Sequence, residues 1–150
     1  MGEFHFFKID HLLTLDLNGL LAESKSEEFR FLTRLIDEYQ NGINTFSGRG
    51  EGLFGVKDHL GEVIAIGGLN QDPYSNEINI GRLRRFYVAN SYRRIGLGNQ
   101  LMDHILSFAK EHFALIVLHT DTEQADRFYR AFGFKKSCLF PGSTHVLIIK

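Results

Sequence analysis

Apolar and polar residues alternate with a period of two at Phe4–Ile9, Leu53–Val56, Val63–Leu69 and Leu83–Val88, which predicts strands. Between the first two runs the spacing changes. Leu12–Ala22 is read as a helix behind a cap at Asp10, with Gly19 as its weak point. Ser26, followed by two glutamates, starts a second helix whose apolar face is Phe29, Leu32, Leu35, Ile36 and Tyr39, and Gly42 stops it. Ile43–Gly52 is a glycine- and asparagine-rich loop, expected to be a connector although a gating role over a substrate entrance would also fit. Lys57–Glu62 closes a hairpin and Asp72–Asn76, with Pro73, makes the next turn. Glu77–Val88 then completes an antiparallel meander of three strands.

Downstream, Leu97, Leu101, Ile105, Phe108, Ala109 and His112 recur at spacings of three and four, the signature of a helix, and Ala114–His119 returns as a strand. Asp121-Thr122 can cap a last helix whose core face is Ala125, Phe128 and Phe132, with Gly133 ending it. Lys135–Phe140 and His145–Lys150 form a final hairpin. The order β, two helices, three strands, α, β, α, two strands predicts a mixed, mostly antiparallel α/β (α+β) sheet with helices on both faces.

At 150 residues, 43% of them hydrophobic and 14 of them phenylalanine, the chain has the size and composition of one globular domain spanning 1–150. A net charge of −1 argues against general nucleic-acid binding. The longest apolar runs are too short to span a bilayer, and no secretory pattern is seen at the N-terminus, so a cytoplasmic protein without membrane contact is expected. The single cysteine, Cys138, excludes an internal disulfide and reads as a packing residue. The histidines show no ligand spacing, so no metal is expected.

Against this even background one segment is charged in a particular way. Arg82, Arg84, Arg85, Arg93 and Arg94 crowd a short stretch, and Arg93-Arg94-Ile95-Gly96-Leu97-Gly98-Asn99 leads straight into the long helix. A helix start exposes backbone N–H groups without intrahelical partners and carries partial positive charge, and glycine lets an anion come close. Adjacent guanidinium groups suit a pyrophosphate. A Walker A loop is excluded because no Gly-Lys-Ser/Thr occurs. A dinucleotide-binding loop is disfavoured, since Leu101 occupies its third glycine position and Ala89–Ile95 separates the strand from Gly96.

The remaining pattern is Phe86-Tyr87-Val88, then Arg93-x-x-Gly96-x-Gly98, then Phe128-Tyr129-x-x-x-Gly133-Phe134, and in this combination the chain resembles the GCN5-related N-acetyltransferase (GNAT) superfamily. The resemblance is strong by motif from about Leu83 to Phe134 and extends to the rest by element order. It implies a sheet splayed between the fourth and fifth strands, and acetyl coenzyme A as cosubstrate. The coenzyme would be held by Arg93, Arg94, Ile95, Gly96, Leu97, Gly98 and Asn99 at its pyrophosphate, and by Phe86, Tyr87 and Val88 along its pantetheine arm. It implies an N-acetyltransferase acting by direct attack of a primary amine of a small molecule, amino acid or peptide, with Tyr129 as general acid toward the leaving thiolate. Thr122 stands where many members carry asparagine, and a hydroxyl there can cap the helix or meet the pantetheine region.

The chain departs from the family at the general base. Members that use a glutamate on the third meander strand carry it where this sequence has Arg82. Glu77 and His119 are the replacements considered, with a water chain as the alternative. Arg82 and Arg84 share a strand face toward the acceptor cleft, which suggests an acceptor bearing a carboxylate or phosphate. The missing base also admits a coenzyme-A-binding regulatory module without turnover, and a dinucleotide-binding protein is a more distant reading. A monomer or homodimer is expected.

Overall fold

Strands joined by short turns build the centre of the molecule. In a computed structural model that describes residues 3–150, β2 (Gly52–Lys57), β3 (Val63–Gln71) and β4 (Ile80–Val88) pair antiparallel, and β1 (His5–Ile9) adds to the outer side of β2. A parallel neighbour for β4 requires a crossover long enough to reverse direction, and helix α3 (Leu97–Ala109) supplies it. β5 (Leu115–Leu118) therefore lies parallel to β4, followed by α4 (Glu123–Phe132) and the antiparallel pair β6 (Lys135–Lys136) and β7 (His145–Ile148). The result is a seven-stranded sheet in the order β1-β2-β3-β4-β5-β7-β6, the mixed, mostly antiparallel architecture that the element order predicted.

Helices cover both faces. One core joins α3 and Tyr129 of α4 to Phe54, Leu69, Leu83, Ile116 and Phe134; the other joins Leu20, Leu32 and Leu35 to Ile9, Leu53, Ile66 and Tyr87. The α3 face is wider than the predicted stripe, because Met102 and Leu106 are buried alongside Leu97, Leu101, Ile105 and Ala109, and His112 lies beyond the helix end. Each such large apolar side chain contributes about 1.5–3 kcal/mol on burial.

Several boundaries depart from the sequence reading. Leu12–Ala22 is not one helix: a single 3₁₀ turn at Leu12–Thr14 is followed by extended backbone at Leu15, and α1 (Asn18–Ser26) restarts where the Asp16 carboxylate accepts from the Asn18 N–H at 3.0 Å. Ser26 ends α1 rather than starting the second helix, its hydroxyl donating to the Glu23 carbonyl at 2.7 Å, and α2 (Phe31–Gln40) begins only after Glu28 turns to φ 67°. The final hairpin is also shorter than predicted. Cys138 is exposed, so it does not pack.

The loop between α2 and β2 is fastened down. The Asn44 and Asn70 amides exchange hydrogen bonds of 2.9 and 3.0 Å, the Glu51 carboxylate accepts from the backbone N–H groups of Gly48 and Gln71, and Phe46 is buried beneath. This favours the connector reading over a gate.

Candidate active site

The sheet opens at its middle. β4 and β5 are paired only from Ile80–Arg82 against Leu115–Val117, and beyond those rungs the two strands part, as expected between the fourth and fifth strands. The opening is a cleft of about 860 Å³ with the second half of β4 on one wall and Leu118, His119 and the start of α4 on the other.

A bulge sets which groups of β4 face this cleft. Ile66 pairs with Tyr87 and Gly68 with Arg84, so Arg85 and Phe86 stand opposite the single residue Gly67, and Arg85 adopts φ 58°. Leu83 packs into the α3 core, and Phe86 returns to the same side, its ring 5.7 Å from Phe128 and 6.2 Å from Tyr129. Beyond the bulge the Ala89 N–H donates to Ile64 of β3 at 2.8 Å. Backbone groups alternate sides along a strand, so the N–H of Val88 points away from β3, into the opening.

The start of α3 forms one end of the cleft. Gly96, the residue before the helix, sits at φ 85°, a conformation glycine adopts without steric cost, and among the described residues no side chain caps the helix. The first intrahelical bond runs from the Gln100 N–H to Gly96, leaving the N–H groups of Leu97, Gly98 and Asn99 without helix partners. Gly98 is held tightly: a Cβ there would lie 3.2 Å from the Phe128 ring. Arg94, Gly96, Gly98 and Asn99 line the cleft; Ile95 does not, and Leu97 is buried in the core, so of Leu97 only the backbone is available.

Arg93 is not the second free guanidinium that the sequence suggested. Its Nε donates to the Val88 carbonyl at 2.8 Å, and its two terminal nitrogens donate to Glu27 at 3.0 and 2.8 Å, clasping the end of α1 to the end of β4. Tyr87 belongs to the same knot. Its ring packs under Arg93 and its hydroxyl shares its one proton between Glu23 and Glu27, so although Tyr87 borders the cleft its hydroxyl is already engaged. Burial, reinforced by the two carboxylates, raises the Tyr87 phenol far above its ordinary value. The hydrogen bond from Arg93 holds the Glu27 carboxyl below its ordinary range, despite an opposing contribution from burial. A carboxylate whose pKa falls on folding stabilises above its unfolded value, about 4.3, and that contribution is lost as pH falls through the folded value. Urea unfolding of Glu27→Gln should therefore show a deficit against the parent at pH 7 that closes in the acid range. An equal deficit at every pH would contradict the ion pair.

Tyr129 sits on α4 among aromatic rings, 5.2 Å from Phe128 and 5.6 Å from Phe134 between ring centres, yet reaches the cleft lining. Burial raises its phenol well above the ordinary value, so it keeps its proton at neutral pH. α4 itself is anchored. Thr122 caps it, accepting from the Ala125 N–H at 3.2 Å, and Asp126 is bonded at 2.7 Å to the buried His145, which holds the Asp126 carboxyl below its ordinary range with help from Arg130.

The two replacement bases separate. Glu77 lies in the exposed turn before β4 rather than on the strand, and does not line the cleft; the strand starts later than the sequence reading because its first ladder bond is at Ile80. His119 follows β5 directly and lines the cleft, exposed to solvent.

Arg82 borders the cleft, but four of its five N–H donors are spent on the fold. It is buried, its Nε donates to Asp72 at 2.9 Å, and its remaining bonds reach Gly142, Pro141 and Ser143, tying two turns together. Arg84 remains on the lining. Arg85, counted in the sequence only as part of the basic stretch and given no role, lines it too and donates to Glu38 of α2 at 3.1 Å. The one mark it leaves in the sequence is the break in alternation at Arg84-Arg85.

Comparison with known proteins adds independent information. The family model described as "Acetyltransferase (GNAT) family" matches residues 16–134. The chain is 31% identical over 93 residues to the candidate N-acetyltransferase san of Drosophila melanogaster, a match covering 49% of this chain and 50% of that protein, so the chain spans about half the length of this curated relative. A candidate acetyltransferase from Exiguobacterium sp. 255-15 superposes with a TM-score of 0.85 at 28% identity, covering 97% of this chain and 93% of that one. A GNAT family acetyltransferase from Brucella melitensis, solved with acetyl coenzyme A, superposes with a TM-score of 0.71 at 15% identity over 99% and 89% of the two chains.

Proposed function

The chain belongs to the GNAT acetyltransferase family, and from that premise we propose that it transfers the acetyl group of acetyl coenzyme A to a primary amine of a small molecule, amino acid or peptide. The observation that carries this reading is a single cleft lined both by the uncapped start of α3 and by the buried phenol of Tyr129.

The residues present fit the coenzyme. The free N–H groups of Leu97, Gly98 and Asn99 and Arg94, which has no partner among the described residues, suit a pyrophosphate, and the backbone of Phe86 with the N–H of Val88, on the side away from β3, suits the amides of a pantetheine arm. Acetyl coenzyme A supplies a thioester, an acyl group already activated toward amines. The Val88 N–H is oriented to polarise its carbonyl. As the amine nitrogen bonds to the acyl carbon and the carbon–sulfur bond breaks, Tyr129 donates its proton to the departing sulfur. The proton lost by the amine passes to His119, directly or through water.

A coenzyme-binding module without turnover is the second reading, favoured by Arg82 standing where a catalytic glutamate would be and being fully engaged in structure. Release of free thiol from acetyl coenzyme A across a panel of amines separates the two. Binding is tested by thermal unfolding with acetyl coenzyme A, NAD and ATP in parallel. At 100 times its Kd a ligand adds about 2.7 kcal/mol, which in a protein of this size raises Tm by roughly 5 to 10 °C. Acetyl coenzyme A should give that shift, and Arg94→Ala should reduce it. A shift with NAD instead would sink the assignment.

A further inference from the structure

The bulge in β4 does more than open the sheet. Leu83 and Phe86 both face the α3 and α4 side, so Arg84 and Arg85, between them, are turned toward α2 as neighbours instead of to opposite faces. Arg34 of α2 lines the cleft beside them. Three guanidinium groups thus meet at the acceptor end, and among the described residues Glu38 is the carboxylate that bonds any of them. Positive charge is in surplus.

Arg85 is the informative member. Its side chain is 7% exposed, and its Nε is buried with no hydrogen-bond partner among the described residues. An unmade bond from a buried charged group is costly, and a non-glycine residue at positive φ adds strain. Such a combination is one that an anionic ligand would relieve. Burial, together with the charge of Arg84, depresses the Arg85 guanidinium, the direction expected of a cation lacking sufficient counter-charge. The walls next to this cluster are Phe29 and Phe31, rings that pair with each other and with Tyr87.

Resting on the acetyltransferase reading, we propose that the acceptor is an anionic amine, its carboxylate or phosphate received by Arg84, Arg85 and Arg34 while its apolar body lies on Phe29 and Phe31. A fork of donors meets an anion bidentately, and a carboxylate or phosphonate would supply the acceptor atom that Arg85 Nε lacks. A polyamine would be repelled.

The test compares matched probes. Thiol release is measured with 4-aminobutyrate and 6-aminohexanoate, with their neutral primary amides, and with 3-aminopropylphosphonate. An anionic probe should exceed its amide in kcat/KM by at least tenfold, and Arg84→Gln and Arg34→Gln should each bring that ratio toward one. Because the ratio is taken within one protein, partial misfolding of a variant cancels. The phosphonate arm tells which anion is preferred. Equal use of acids and amides, or a ratio unchanged in both variants, overturns the proposal while leaving acetyl transfer intact. If no amine releases thiol, the acetyltransferase reading fails, and calorimetric titration with 6-aminohexanoate against its amide then decides the anion site: binding of the acid alone supports it and equal or no binding overturns it.

Discussion

Replacing Tyr129 by phenylalanine should lower kcat by about 10²-fold or more while leaving the affinity for acetyl coenzyme A within a few-fold, since general acids contribute roughly 10²–10⁴ and act in the transition state. The ring is held on every side by Phe86, Phe128 and Phe134, and the phenylalanine ring would sit where the tyrosine ring sits, so packing is preserved and only the hydroxyl is lost. Steady-state kinetics with saturating amine, paired with a direct binding measurement, separate the two effects. Weakened binding with an unchanged kcat would show that the hydroxyl serves the coenzyme's ground state, and the assigned role would be withdrawn.

Arg82→Ala is expected to act on the fold. Asp72 and Arg82 have side-chain exposures of 0% and 4%, and removing one member of a buried pair leaves the other charge uncompensated, at a cost of about 3–5 kcal/mol. The same substitution frees the two carbonyls of the Pro141–Gly142 turn and the Ser143 hydroxyl. Urea unfolding should show this loss, and Asp72→Ala added to Arg82→Ala should cost much less than it does alone, because the orphaned carboxylate is gone. A variant of undiminished stability with a raised acceptor KM would return Arg82 to the substrate site.

These cases show what the sequence could disclose. The spacing of Leu97, Leu101 and Ile105 announced α3, and the glycines before it marked its exposed start, because both signals are local. Arg93 read as a ligand group because its partner lies far off along the chain, Glu27 being 66 residues away; Arg82 meets Asp72 only 10 residues back across the β3–β4 turn, a closeness the sequence does not show, and the Pro141 carbonyl 59 residues on. A charge looks free in a sequence until folding brings its counter-charge. Ser26 misled for the opposite reason. Serine favours helix starts, yet the cap positions of α1 and α2 are Leu17 and Arg30, neither of which bonds its helix through the side chain, and the serine stands where α1 ends. The bulge at Arg85 was hidden because positive φ there falls on a residue with no preference for it; a glycine would have been noticed.

The three-rung seam between β4 and β5 has a mechanical consequence. The molecule is two partial sheets, β1–β4 and β5 to β7, and the backbone joins them along only a short line. What keeps the halves from swinging is the apolar filling common to both, which draws Leu83 and Phe54 from one side and Ile116, Leu118 and Phe134 from the other, together with the bonds Arg82 sends across the seam to the Pro141–Ser143 turn. The jaw is therefore set open by oil and one arginine strut rather than by a ladder, and its gape answers to the volume of a few side chains lying behind it.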